Sequence, residues 1–257
     1  MPTGALTGYL DVAQLVLYAF WIFFAGLVFW LRREDRREGY PQEAEVAGRL
    51  KAPDPILIPT PKAFHLSSGV TKYAPPPVTD VEHGVPSRKF EPWPGAPYVR
   101  TTTDLEAGVG PGSWATRDDS HDHTWDGSYR IVPLRVATTF VIHEQGPNPI
   151  GMTVFGTDRV VAGMITDVWV DRGESMIRYY EIDLAGGLGR RLIPFNFCRA
   201  GRFTKTVKSE ALLASQFAGI PATRDPDSVT LLEEERIMAY FGAGTLYATP
   251  ERAEPLL

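Results

Sequence analysis

The side chains able to do chemistry lie in two short polar runs. The first is Arg117-Asp118-Asp119-Ser120-His121-Asp122-His123-Thr124-Trp125-Asp126. A His-x-His pair flanked by carboxylates has the donors to hold a divalent metal through neutral imidazoles and oxygen ligands. The same groups can handle protons, because imidazole titrates near neutrality and carboxylates exchange protons with water. A solvated polar loop accounts for the run equally well, since spacing alone specifies little. The second run places Asp171, Glu174, Arg178 and Glu181 around the turn Asp171-Arg172-Gly173-Glu174. On its own terms this is a charged turn with an Arg–carboxylate pair, as most such clusters are.

No other constellation stands out. The chain has no phosphate loop, no Gly-x-Ser-x-Gly, no metalloprotease His pair and no dinucleotide fingerprint. Cys198 is the only cysteine, so no intrachain disulfide can form. It follows the run Leu192-Ile193-Pro194-Phe195-Asn196-Phe197, whose apolar character suits a buried small residue better than a catalytic thiol. A net charge of −5 and a pI near 5.6 leave no basic stripe outside one arginine cluster, which argues against a nucleic-acid partner.

That cluster, Arg32-Arg33-Glu34-Asp35-Arg36-Arg37, follows an uncharged apolar stretch at residues 12–31. About 20 residues at ~1.5 Å rise span ~30 Å, the hydrocarbon thickness of a bilayer. A signal peptide would carry its positive charge before a shorter apolar core; here the arginines come after it. The stretch reads as one transmembrane helix, with residues 1–11 outside and the chain from Arg32 onward in the cytoplasm. Tyr9 and Trp30 fall near the two interfaces. Gln14, Tyr18, Trp21 and Ala25 share one helical face, which lipid would leave with an unsatisfied amide and which suits a partner helix.

Residues 32–105 hold about a dozen of the 22 prolines, which excludes long helices and central strands. Ile56, Phe64, Tyr73, Phe90 and Trp93 are too apolar for a solvated tether, so this stretch is expected to lie extended against another surface, with a hairpin around Ser67-Ser68-Gly69. Residues 106–248 read as a mainly-β domain, a small antiparallel barrel with a short C-terminal helix. Strands are expected at 134–143, 159–170, 176–184, 190–197 and 202–207. A short helix is expected from Ser209 through Phe217. A second opens at Thr230, which forms a capping-box pattern with Glu233, puts Leu231, Met238 and Phe241 on one face, and ends at Gly242 or Gly244. Residues 249–257 form a tail that is frayed or lies on a neighbour.

Several motifs together resemble the H subunit of the purple-bacterial photosynthetic reaction centre. They are the helix with Arg32 to Pro41, Gly108-Val109-Gly110-Pro111-Gly112-Ser113-Trp114, Ile131-Val132-Pro133-Leu134-Arg135, Asp167-Val168-Trp169-Val170-Asp171, Gln216-Phe217-Ala218-Gly219-Ile220-Pro221 and Ala243-Gly244-Thr245-Leu246-Tyr247-Ala248-Thr249-Pro250. They run in the family's order over nearly the whole chain. The resemblance implies a non-enzymatic subunit whose cytoplasmic domain is a PRC-type barrel capping the L and M subunits. It implies that L and M hold the bacteriochlorophyll, bacteriopheophytin, quinones and non-haem iron, so that this chain binds none of them as a principal ligand. It implies a photosynthetic intracytoplasmic membrane, with an antenna ring, a cytochrome subunit and lipids as further candidate partners. It makes Glu174 the proton-path carboxylate nearest the secondary quinone, with Asp171 and Arg178 shaping its field. Asp122, His123 and Asp126 are weaker candidates for proton uptake, because their spacing to Arg130-Ile131 departs from the family's. The rival readings are a single-pass metal-dependent hydrolase built on His121 and His123, and a PRC-barrel adaptor outside photosynthesis.

Overall fold

The computed structural model describes residues 4, 7, 11–40, 42–44, 49–50, 56–66, 69–76, 86–93 and 95–253. Tyr9, Ser67 and Ser68, named above, lie outside them. The chain divides into two compact units, Met1–His83 with Pro92–Ala96, and Gly84–Glu91 with Pro97–Leu257.

In the first unit, α1 spans Val12–Glu34 and continues into a 3-10 turn at Asp35–Arg37. It is the one helix among the described residues long and apolar enough to cross a membrane, and none of its residues is buried by the chain itself. Its N-terminus is a capping box: Asp11 Oδ1 accepts from the Gln14 amide at 2.7 Å, and the Asp11 amide donates back to Gln14 Oε1 at 3.3 Å. The Gln14 side chain therefore has a local partner, which weakens the argument that it needs a neighbouring helix. Tyr18, Trp21 and Ala25 stay exposed along the helix. At the other end, Arg37 donates to both oxygens of Glu34 and to the carbonyls of Thr60 and Ala74, all at 2.8 Å. This ties the helix end to a hairpin of β3 (Lys62–His65) and β4 (Thr71–Ala74), the one expected from the sequence; β1 (Glu43–Ala44) and β2 (Arg49–Leu50) form another.

The second unit opens with a hairpin of β5 (Ser87–Lys89) and β6 (Tyr98–Arg100). Its main sheet has seven strands among the described residues: β7 (Ile131–Pro133), β8 (Thr153–Phe155), β9 (Val161–Asp171), β10 (Met176–Leu184), β11 (Arg190–Pro194), β12 (Cys198–Gly201) and β13 (Thr206–Ser209). The order is β11-β10-β9-β8-β13-β12, and β7 pairs with the far end of β9. Every pairing is antiparallel except β13 with β8. Helix α2 (Leu231–Tyr247) closes the core, with Ile237 and Phe241 fully buried and the Phe241 ring 5.5 Å from Phe197.

The small barrel and its C-terminal helix match the sequence reading; several local expectations do not. Residues 134–143 form turns rather than a strand, because the pairing with β9 ends at Leu134 and the Val136 and Ala137 amides both turn back to the Pro133 carbonyl. Ala137, Phe140 and Ile142 reach the core from a folded loop, while Val136 stays exposed. Residues 202–205 are the turn between β12 and β13, not the body of a strand. Ser209 ends β13, and the helix expected from it is a 3-10 segment at Ala214–Gly219. The expected strand at 190–197 stops at Pro194, where a 3-10 turn begins. Helix α2 does form its Thr230–Glu233 capping box, but it runs through Gly242 and Gly244. Those glycines serve packing: a side chain on Gly242 would strike the Pro111 carbonyl, and one on Gly244 the Ala211 carbonyl. Phe241 is buried while Leu231 is half-buried and Met238 exposed, so the three do not share one environment. After α2, Arg252 bonds the carbonyls of Ala211 and Gly244. The start of the tail is held rather than frayed.

Candidate functional site

The site is built on the β9–β10 hairpin. Asp171 closes β9, and its Oδ1 accepts the amides of Gly173 at 2.9 Å and Glu174 at 3.0 Å, which folds the turn at 172–175. Ser175 takes the left-handed conformation that returns the chain to β10. Asp171 is fully buried, so its charge needs compensation. Arg130 supplies it, donating from Nε to both Asp171 oxygens at 3.0 and 3.1 Å. Arg130 can do this because it immediately precedes β7, whose Ile131 is paired with Asp171 across the sheet.

The rest of the Arg130 guanidinium is shared with two further carboxylates. Nη1 donates to Asp122 Oδ2 at 3.1 Å and Nη2 to Glu174 Oε1 at 2.7 Å. One cation thus links three acids, and the bond to Asp171 is the main reason its own pKa is raised. Arg178 approaches from β10. Ile177 pairs with Val170 and Tyr179 with Trp169, so Arg178 is the extra residue of a β-bulge. The bulge leaves its Nε 3.5 Å from Asp171 Oδ2, an ion-pair separation without a hydrogen bond.

Asp122, Arg130 and Arg178 face a cavity of about 690 Å³ also lined by Tyr179, Glu234 and Met238. The Tyr179 hydroxyl donates to Glu234 Oε2 at 2.9 Å. Desolvation raises the Glu234 carboxyl above its ordinary value, and desolvation next to Glu234 raises the Tyr179 phenol well above its own.

The structure therefore brings Asp122, Asp171, Glu174 and Arg178 together, but not the other candidates. His123 lies against the Tyr129 ring at 5.5 Å, and His121 stacks on the same ring at 4.4 Å with its Nε2 2.8 Å from Ser228 Oγ. Among the described residues no three His, Cys, Asp or Glu side chains are grouped as a metal ion would require. Asp126 is closed within its own loop by the Ser128 and Thr124 hydroxyls, which hold its carboxyl far below the usual range. Such an acid is a poor proton carrier near neutrality. Glu181 belongs to a different network, bonded by Arg135, Arg190 and the Trp169 indole. Cys198 is half-buried, and desolvation pushes its thiol up to about 12, which removes it as a nucleophile.

Arg130 and Glu234 were not singled out from the sequence. Nothing local marks Arg130, since its role depends on a pairing between residues 40 apart in the chain. Glu234 was legible only as an acid in the first turn of a helix.

Two family models match the chain. One describes the N-terminal region of the photosynthetic reaction centre H-chain and covers residues 4–136, which takes in Asp122 and Arg130; the other describes the PRC-barrel domain and covers residues 143–211, which takes in the β9–β10 hairpin. The first spans more than half of the sequence, and the chain belongs to the H-chain family of the photosynthetic reaction centre.

Proposed function

We propose that this chain caps and stabilises the L and M subunits on the cytoplasmic side and supports proton delivery to the reduced secondary quinone during light-driven electron transfer. The pigments, quinones and iron are held by L and M, and this chain contributes no catalytic residue of its own. α1 crosses the membrane with its N-terminus on the periplasmic side, and Arg32, Arg33, Arg36 and Arg37 mark the cytoplasmic surface. The face with Tyr18, Trp21 and Ala25 packs on partner helices.

The observation that carries the proton-delivery reading is the linkage of Asp122, Asp171 and Glu174 through Arg130. Of the three acids, Asp171 is buried and locked, whereas Glu174 and Asp122 keep solvent contact. The turn uses only the backbone amide of Glu174, so a change at its carboxyl group leaves the turn intact. Glu174→Gln preserves the side chain's shape and removes its transferable proton. In the assembled reaction centre it should slow the proton-coupled second electron transfer to the secondary quinone and leave the first charge separation intact. Unchanged kinetics of the second transfer would refute the role.

A further inference from the structure

We propose that Glu234, held by Tyr179 at the wall of the Arg130 cavity, is a second proton-holding carboxylate beside Glu174. The inference rests on the proton-delivery reading and adds a residue on a different element.

Glu234 stands in the first turn of α2, whose amides favour a negative charge, and yet the surrounding protein favours the neutral acid. Tyr179 and Arg178 face it from β10. Asp171, at the end of β9, and Asp122, from the loop before β7, act on it with like charge. Arg117 and Arg130 line the same cavity, but each is already engaged, Arg117 by Glu235 and Arg130 by its three acids. Desolvation and the two aspartates favour the acid; the Tyr179 hydroxyl and Arg178 favour the carboxylate. The balance leaves the Glu234 carboxyl above its ordinary value, and the Tyr179 hydroxyl fixes it at the cavity wall, where it can meet solvent. Protonation by solvent gives the neutral acid, and loss of that proton to water restores the carboxylate, with no other bond changed.

Difference infrared spectroscopy of the assembled reaction centre, recorded on reduction of the secondary quinone at several pH values, tests this. The expected result is a carboxylic acid C=O band, sensitive to deuterium and titrating above the ordinary carboxylate value of ~4.3, that is lost in Glu234→Gln. Tyr179→Phe removes a donor to the ionised form, so the band should persist to higher pH. Light-induced proton uptake in the same pH range should fall in Glu234→Gln with an unchanged melting temperature. A band and uptake unaltered by Glu234→Gln, with Glu174→Gln still slowing the second electron transfer, would overturn this inference alone. If instead Glu174→Gln has no effect, the delivery reading fails, and the infrared titration still decides whether Glu234 exchanges a proton.

Discussion

Two places along the β9–β10 hairpin carry the same inventory, one arginine bonded to three carboxylates, and use it in opposite ways. Near the turn, Arg130 holds Asp122, Asp171 and Glu174. Further along, Arg135 holds Asp167, Glu181 and Asp227. Each network sits at a bulge. Arg178 is the extra residue at the first, and at the second Thr166 is the extra residue of β9 and donates to Glu181 at 3.0 Å. What separates them is saturation. The Glu181 side chain is 3% exposed and takes bonds from Arg135, Arg190, Trp169 and Thr166, whereas the Glu174 side chain is 50% exposed and, among the described residues, has Arg130 alone as its ion-pair partner. A fully bonded buried acid fixes a fold, and a half-open one can change protonation while the fold stays put.

The largest expected effect falls on the closed network. Arg135→Ala would leave Asp167 and Glu181 buried without their common cation, costing about 3 kcal/mol of stability, the low end for a broken buried pair because the guanidinium is partly exposed. Denaturant unfolding of the purified chain in detergent measures it. Burial alone would push the Glu181 carboxyl up, but the bonds from Arg135, Trp169 and Thr166 outweigh it and hold the pKa below its ordinary value. A carboxylate lowered on folding stabilises the native state above its unfolded pKa. That contribution is lost as pH falls through the native value, so wild type should lose stability on acidification more steeply than Glu181→Gln.

A smaller stability effect is expected for Arg130→Met, because Arg178 still faces Asp171. Its functional effect should be larger than that of the Arg135 change once folding is equal, since it uncouples Asp122 and Glu174. Comparing second-transfer rates with unfolding midpoints in the two variants separates the networks. Cys198 gives a local check: it should resist maleimide at neutral pH in the folded chain and react once the chain is unfolded. Replacing His121 and His123 together should alter proton uptake least, because His121 is engaged by the Tyr129 ring and Ser228, His123 lies tilted against the same ring, and neither bonds the Arg130 network.

The sequence made some of this legible for clear physical reasons. The hairpin followed from two strand-like runs joined by the turn Asp171-Arg172-Gly173-Glu174, and the start of α2 from Thr230 with Glu233. Both signals are local. The bulge at Arg178, the separation of Glu181 from Asp171 and the place of Arg130 are products of pairing between distant strands. Periodicity cannot report them, because a one-residue shift in register decides which face a side chain joins. The misread strand at 134–143 has the same origin: Val136 on its expected apolar face is exposed and Ala137 on the other is buried, so the alternation reports neither the backbone path nor the buried set.

The most direct test of the contrast is the rate of the second, proton-coupled electron transfer in Glu174→Gln reaction centres, measured by flash spectroscopy beside the melting temperature. The account predicts a slowing of roughly tenfold or more, with the first charge separation and the melting temperature unchanged. A wild-type rate with an unchanged melting temperature would contradict it, and would leave the Arg130 network as a second structural clamp like the one around Arg135.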